Sequence, residues 1–385
     1  MHLKAKILAG LLAGCLGLGA LAGCGSGGES GSSPSPSPSA SPSGAEGEAR
    51  VVVDHAGNEV ELPAEINRIV ITSITPLPSV YALFDGSAER LIGMSPSSMA
   101  STENSLLADT IPGITQVRTD FMNGDEVNME ELLAMEPDVV FYRAENVEEY
   151  EQLSAMGIPA VGFSTTQWGS DSIETFQGWV SLLGEVLQQE DRADGIAEYG
   201  REVYDMIQQR LAQAGDDLEK PRVFWLFRYS SGVVQTSGSN HFGEYWANAT
   251  GAVNVAHESD GANFEVNMEQ IYAYDPDIIY ISNFAPYLPE DLYNNAIEGN
   301  DWSVVRAVQE GNVYKCPLGM YRWYPPSSDS PLMLLWLAKN HHPELFEDID
   351  MTQELKDYYQ RFYSVELTDE NIEKIFNPSR EAAGA

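Results

Sequence analysis

Val127-Asn-Met-Glu-Glu-Leu-Leu-Ala-Met-Glu-Pro-Asp-Val-Val-Phe-Tyr142 recurs as Val266-Asn-Met-Glu-Gln-Ile-Tyr-Ala-Tyr-Asp-Pro-Asp-Ile-Ile-Tyr-Ile281. Each copy reads as a capped helix, a Pro-Asp turn and a short buried strand. Asn128 and Asn267 are N-cap residues by type, with Glu131 and Gln270 three positions on to close a capping box. Pro137 and Pro276 end the helices, and Val139-Val-Phe and Ile278-Ile-Tyr are apolar enough for strands covered on both faces. The two copies lie much further apart than the roughly 20–50 residues of a solenoid repeat. They predict two similar α/β lobes that face each other. Open parallel sheets bind ligands beyond the carboxyl ends of their strands, so the loops after these strands are the places to search for function.

The front of the chain has a different character. Lys4 and Lys6 precede a mostly apolar run from Ile7 to Ala22, the layout of a signal peptide over residues 1–23. It ends in Leu21-Ala22-Gly23-Cys24, which resembles the bacterial lipobox, in which the cysteine is diacylated and becomes the mature N-terminus. Cys15, in Leu12-Ala13-Gly14-Cys15, leaves an apolar stretch too short to be the first choice. Residues 24–48 are rich in Gly, Ser, Pro and Ala, a composition that reads as a tether without a core. The expectation is a lipid-anchored protein on the extracytoplasmic face of the membrane.

The chain has 21 Lys and Arg against 58 Asp and Glu; without Lys4 and Lys6 the balance becomes 19 against 58, a charge of −39. Such a surface argues against nucleic acid and against adsorption on anionic lipid. Solubility outside the cell accounts for it without a cationic ligand. Cys316 is the only cysteine beyond the lipobox region, so no internal disulfide is expected, and it reads as a small buried side chain. About 335 residues follow the tether, enough for two lobes with separate cores.

Val51 to Pro63 reads as a hairpin turning at Ala56-Gly57-Asn58, and Arg68 to Ser73 as the first core strand, with a helix from Ser79. The second lobe opens in the same rhythm: a strand from Arg222 to Phe227, then a helix from Phe242 to Ala249. Between them Ala193, Ile196, Gly200, Val203, Ile207 and Leu211 form one stripe at helical spacing, a long helix placed to join the lobes. The expected division is 49–188 for the first lobe, 189–216 for the joining helix and 217–385 for the second lobe. The tail from Pro331 to Phe376 reads as amphipathic helices, with Asp350 and Gln353 as a further capping box.

With the hairpin ahead of Arg68-Ile-Val, the paired Met-Glu…Pro-Asp units and the joining helix in place, the chain resembles the iron-complex and vitamin B12 class of ABC-transporter substrate-binding proteins. Asp301-Trp302-Ser…Asn312-Val313-Tyr314 and Pro331-Leu332…Leu335-Trp336-Leu337-Ala338 add to the likeness, which covers residues 50–378. It implies two Rossmann-like lobes joined by a single long helix, a ligand in the cleft between them, no cofactor of its own, and an ABC permease with its ATPase as partners of a monomeric protein. The ligand it implies is a small metal complex, with a ferric siderophore-like iron chelate first, haem or a corrinoid second and a molybdate-like oxyanion third.

The cleft loops are then 74–79, 95–98, 143–146 and 165–170 in the first lobe, and 228–232, 238–241, 282–287 and 319–328 in the second. Arg143 and Arg228 directly follow strands, and a guanidinium fork suits carboxylate, catecholate or oxyanion groups. Arg143 could instead pair with Glu145. Tyr229 follows Arg228. Tyr321, Arg322 and Trp323, on a proline-stiffened loop, could stack on a flat ligand or cover a chelate. His241 precedes a helix and could complete an open metal centre, though a polar helix-start residue explains it as simply. A bare-zinc carrier would need converging His and acid ligands that the spacing does not supply. An enzyme such as a secreted hydrolase would need a nucleophile elbow or a metal-binding helix, and neither motif is present. A surface co-receptor on the same scaffold would share every one of these features.

Overall fold

A computed structural model describes residues 50–230 and 232–382, and its frame follows from the repeat. Asn128 accepts the backbone N–H groups of Glu130 and Glu131, opening the helix Met129–Ala134. Asn267 and Gln270 form a complete capping box on the helix Met268–Tyr274. The first box stays half closed, because Glu131 leans toward Arg118, 4.0 Å away, and not back to its cap. Glu136 and Asp275, just ahead of the prolines, take left-handed backbone at φ 48° and 41° and turn the chain into the strands Val139–Arg143 and Ile278–Phe284.

The repeat extends to a hydrogen-bonded joint that the sequence does not announce. Asp138 accepts the backbone N–H of Arg68 at 2.9 Å, and Asp277 accepts that of Arg222 at 2.7 Å. In return Arg68 donates to the carbonyls of Met135 and Glu136, and Arg222 to that of Tyr274, filling helix-end acceptors that would lack partners. Each Pro-Asp turn is thereby fixed to the strand beside it, with Val139 opposite Ile69 and Ile278 opposite Val223.

Four parallel strands follow the same order in each half. In the first they are Leu91–Met94, Ile69–Ile71, Val139–Arg143 and Ala160–Phe163. In the second they are Val253–Asn254, Arg222–Ser230, Ile278–Phe284 and Val313–Lys315, with Val233–Ser237 and Asn263–Val266 added antiparallel at one side. The opening hairpin forms as read, Arg50–Val53 pairing with Glu59–Leu62 around a turn held by the Asp54 carboxylate.

The stripe from Ala193 to Ile207 is buried on one 25-residue helix, Glu190–Ala214, about 37 Å long at 1.5 Å per residue. It folds back tightly on Ser172–Leu187, where Gly184 is required: a Cβ there would stand 2.5 Å from that of Ala193. The expectation of separate cores holds in part: one cluster, with Val70, Val140 and Leu153, lies within the first half and another, with Phe224, Ile279 and Trp302, within the second. A third and larger cluster is shared, running from Ile69 and Phe141 of the first sheet through both helices to Trp225 and Tyr280 of the second. The reason is the helix Ser330–His341, which is buried on all sides and not amphipathic as expected, and which packs on both long helices. Each fully buried Leu or Met there contributes about 1.5–3 kcal/mol, so this one helix supplies much of the glue. The tail then reaches back across the molecule, Tyr363 donating to the Ser79 carbonyl at 3.0 Å and Arg192 to that of Phe362 at 2.7 Å. Asp350 caps Met351–Tyr363, but Gln353 turns to Asp357 and leaves that box open too.

Cys316 is buried and free, and burial pushes its thiol up to about 12. Among the described residues no helix is long and apolar enough to cross a membrane. The expected signal peptide, the tether and the lipid-bearing Cys24 lie outside the described residues.

Candidate functional site

Beyond the carboxyl ends of both sheets lies a cavity of about 580 Å³ lined from both halves. Thr75, Ser97 and Ser101 come from the first, and Arg228, Tyr229, Ser230, Phe284, Pro286, Tyr321 and Arg322 from the second. Strand alternation explains the first group of second-half residues: in Arg222–Ser230, Arg228 and Ser230 are exposed while Tyr229 between them is buried. Tyr229 donates to Asn300 at 3.1 Å and meets Tyr287 edge-on. A shift of register after Ile281 sets Phe284 opposite Arg228. The Arg228 guanidinium stands 5.3 Å from the Phe284 ring centre, and that of Arg322 4.5 Å from the same ring.

The 319–323 loop is fixed from behind by Asp329, which accepts the backbone N–H of Tyr321 at 3.2 Å and the Tyr359 hydroxyl at 3.0 Å. Burial pushes the Asp329 carboxyl up to about 7 against those bonds. The Tyr321 side chain interacts with Ser101, Arg322 and Thr75, reaching from one half of the molecule to the other. Ser97 and Ser101 lie four apart, on one face of the helix Pro96–Glu103, which Ser95 caps. The start of that helix adds the partial positive charge of its N–H groups.

Two arginines, three aromatic rings and four hydroxyl-bearing Ser and Thr residues line this cavity, and among the described residues no carboxylate does. Burial lowers the Arg322 pKa, and the like charge of Arg228 pushes the same way while Tyr321 opposes it. The arrangement suits an anion: guanidinium forks for charge and geometry, hydroxyls to adapt, and an aromatic face on which both cations rest.

Of the residues singled out in the sequence, the structure brings together Arg228, Tyr229, Tyr321 and Arg322. Arg143 lies elsewhere, exposed at its strand end, with its backbone N–H on Ser73. Glu145 is not its partner; it accepts from Ser164, Thr165 and Thr166 and closes that loop on itself. Trp323 is fully buried with its edge to Phe376, because the chain turns inward after Arg322. His241 sits behind Phe227, its Nδ1 3.1 Å from Ser237 and 2.8 Å from the Tyr324 hydroxyl. Burial, aided by Arg228, lowers it to about 4, so the ring is neutral. Among the described residues no group of three or more His, Cys, Asp and Glu is placed to hold a metal ion.

Ser101 escaped the sequence reading because it lies inside a helix and not in a loop. Its signal was the Ser95-Pro-Ser97 start, which caps a helix and projects the serine four residues after Ser97 to the same side. Lys315, a lone cation in a buried strand, also escaped.

The sequence matches the model of the periplasmic binding protein family over residues 69–318. The fold is similar to a periplasmic solute binding protein from Veillonella parvula, at 34% identity, 87% of this chain, 98% of that chain and a TM-score of 0.79. The molybdate-binding protein MolA of Haemophilus influenzae is 24% identical over 342 residues, 84% of this chain and 93% of its own length. The Fe(3+)-citrate-binding protein YfmC of Bacillus subtilis is 25% identical over 271 residues, 69% of this chain and 78% of its own length. With two matched α/β halves and a ligand-sized cavity at their strand ends, the chain belongs to the periplasmic binding protein family and is an extracytoplasmic solute-binding protein that works with an ABC permease and its ATPase.

Proposed function

We propose that the protein binds an anionic iron chelate, of the ferric siderophore or ferric citrate kind, and delivers it to its permease as a monomer anchored through a diacylated Cys24. The observation that carries the reading is the lining of the cavity, where, among the described residues, Arg228 and Arg322 meet hydroxyl groups and no carboxylate. Its volume suits a chelate better than a lone ion. A preformed chelate arrives with its metal already coordinated, so the lining needs charge and hydrogen-bond donors more than it needs metal ligands. Arg228, Tyr229, Tyr321 and Arg322 are the contacts in this reading. Arg143, His241 and Trp323 are set aside, since none of them lines the cavity.

A tetrahedral oxyanion is the second reading. It draws on the likeness to the molybdate-binding protein and on Thr75, Ser97 and Ser101, whose small hydroxyls could close around a compact anion beside the two arginines. Haem fits less well, because His241 lies behind Phe227 and does not line the cavity, which leaves the tyrosines of the lining, Tyr321 first and Tyr229 after it, to try as an axial ligand.

Titration of the purified protein with ferric citrate, a ferric siderophore, haem, cobalamin and molybdate, read by tryptophan fluorescence, tests the assignment. Tightest binding of either iron chelate supports it. Preference for haem or cobalamin overturns it, and preference for molybdate selects the second reading. Mass spectrometry of the mature N-terminus tests the anchor, which an unmodified Cys24 peptide from the membrane fraction would refute.

A further inference from the structure

After Ile281 the strand Ile278–Phe284 breaks its register with Arg222–Ser230, and the chain bends through Ser282–Tyr287 along the rim of the cavity. Within the bend the Ser282 carbonyl accepts the Ala285 N–H at 3.2 Å, and the carbonyls of Ala285 and Tyr287 follow it. All three accept from one side chain: the Lys315 ammonium donates to them at 2.9, 2.7 and 3.0 Å. An ammonium has three donors, so each is used. Lys315 reaches them because it ends the neighbouring strand Val313–Lys315, paired with Ile281. It is 5% exposed and does not line the cavity. From the outer side Arg380 donates to the Pro286 carbonyl at 3.0 Å and to Asp291. Four carbonyls of the bend are thus drawn to cations.

We propose that Lys315 is a positioning residue for ligand binding: its three hydrogen bonds fix the bend that sets Phe284 beside Arg228 and Arg322. It touches no ligand. Its effect reaches the ligand through the ring that both guanidiniums share, so the proposal rests on the cavity being the binding site.

The charge state of Lys315 then matters. Burial lowers its pKa to about 7, with Arg322 and Arg380 pushing the same way and Cys316 and Asp291 opposing them. The neutral amine keeps two donors and leaves one carbonyl without its bond. Protection of the bend should therefore fall as pH rises through neutrality. Asp329 titrates in the same range behind the Tyr321 loop, so the pH response must be shown to belong to Lys315.

The experiment compares wild type, Lys315→Met, Lys315→Arg and Arg228→Ala. Hydrogen exchange of the ligand-free proteins, expressed as protection factors between about pH 6 and pH 9, is read at Ser282–Tyr287 and at Glu190–Ala214. Lys315→Met should lower protection in the bend by about tenfold or more, remove its pH step and leave the long helix unchanged. Lys315→Arg should restore much of the protection. Ferric citrate and molybdate titrations then give the binding arm, where Lys315→Met should weaken whichever probe wild type binds by a similar factor. Unchanged protection at the bend, or a wild type without a pH step there, overturns the proposal, and the wild-type arm still decides if Lys315→Met does not fold. Full binding by Lys315→Met with loss in Arg228→Ala overturns it while keeping the site. Full binding by Arg228→Ala would overturn the site itself.

Discussion

Arg228 and Arg322 share one aromatic ring, their guanidiniums standing 5.3 and 4.5 Å from the centre of Phe284. Two like charges so placed repel each other, and burial lowers the pKa of Arg322 further. The free protein holds them there because the strand end, the bend and the 319–323 loop are each fixed by other bonds. A bound anion would relieve this repulsion, and the site is organised for it in advance.

The two arginines should therefore separate binding from stability. Arg228→Ala and Arg322→Ala should each weaken an anionic ligand by about 1.5–3 kcal/mol, the scale of a hydrogen bond to a charged group. Arg228 is exposed, so its loss should hardly change the melting temperature. Arg322 is 4% exposed, and its loss should also lower the melting temperature of the free protein. Calorimetric titration and thermal melts measure both; equal affinity across all three proteins would remove the arginines from the site.

The half-closed capping box gives a paired test. Gln270→Ala breaks a bond to the Asn267 backbone and should cost roughly 0.5–1 kcal/mol. Glu131→Ala breaks no such bond and should stay within a few tenths, as surface pairs do. Denaturant midpoints decide, and an equal cost for both would mean that the first box closes in solution.

His241 sets a pH dependence with a definite sign. Its folded pKa of about 4 lies below the ordinary 6.5, so the unfolded chain binds its proton first as pH falls. Stability from this group is complete above about pH 6.5 and drains away toward pH 4. The stability of wild type relative to His241→Asn should shrink over that window, by up to roughly 2–3 kcal/mol. A constant difference in urea melts at pH 7, 6, 5 and 4.5 would contradict a neutral buried ring.

Ligand should move the two halves little. The apolar cluster is continuous from one sheet to the other, and wide hinge motion would have to open it. Small-angle scattering should give nearly the same radius of gyration with and without ligand, and a large contraction would point to a different hinge.

The sequence displayed the frame well and the site in part, for separate physical reasons. The repeat was legible because caps, Pro-Asp turns and apolar triplets are local signals, whereas the Asp138–Arg68 and Asp277–Arg222 joints link residues far apart in the chain and were not. Arg228 was legible because a cation after a buried strand has few places to go. Ser101, Phe284 and Lys315 depend on which loop lies against which, a matter of pairing between distant segments. Trp323 was misplaced because the chain turns inward after Arg322, a change of direction within a loop that no period in the sequence marks. The shared core was hidden because Ser330–His341 carries Lys339 and His341 at its end, with His342 just beyond, which mimic an amphipathic face, yet His341 and His342 are buried with Thr250 and the Gly251 carbonyl as partners.

The acidity of the chain, surplus to the fold, has a consequence for speed. An anion arriving from solution meets a formal charge of −37 before it comes within reach of Arg228 and Arg322. Repulsion acts over a Debye length, about 10 Å at 0.1 M salt, whereas the guanidinium contacts act at bonding distance. Added salt should thin the outer barrier and quicken association, the reverse of what attractive steering produces. Stopped-flow traces over a range of ionic strength would show it, and an association rate that falls with salt would mean that the arginines govern the field at long range as well. Slow capture hastened by salt, followed by a long residence, is the kinetic signature of a basic cavity inside an acidic coat.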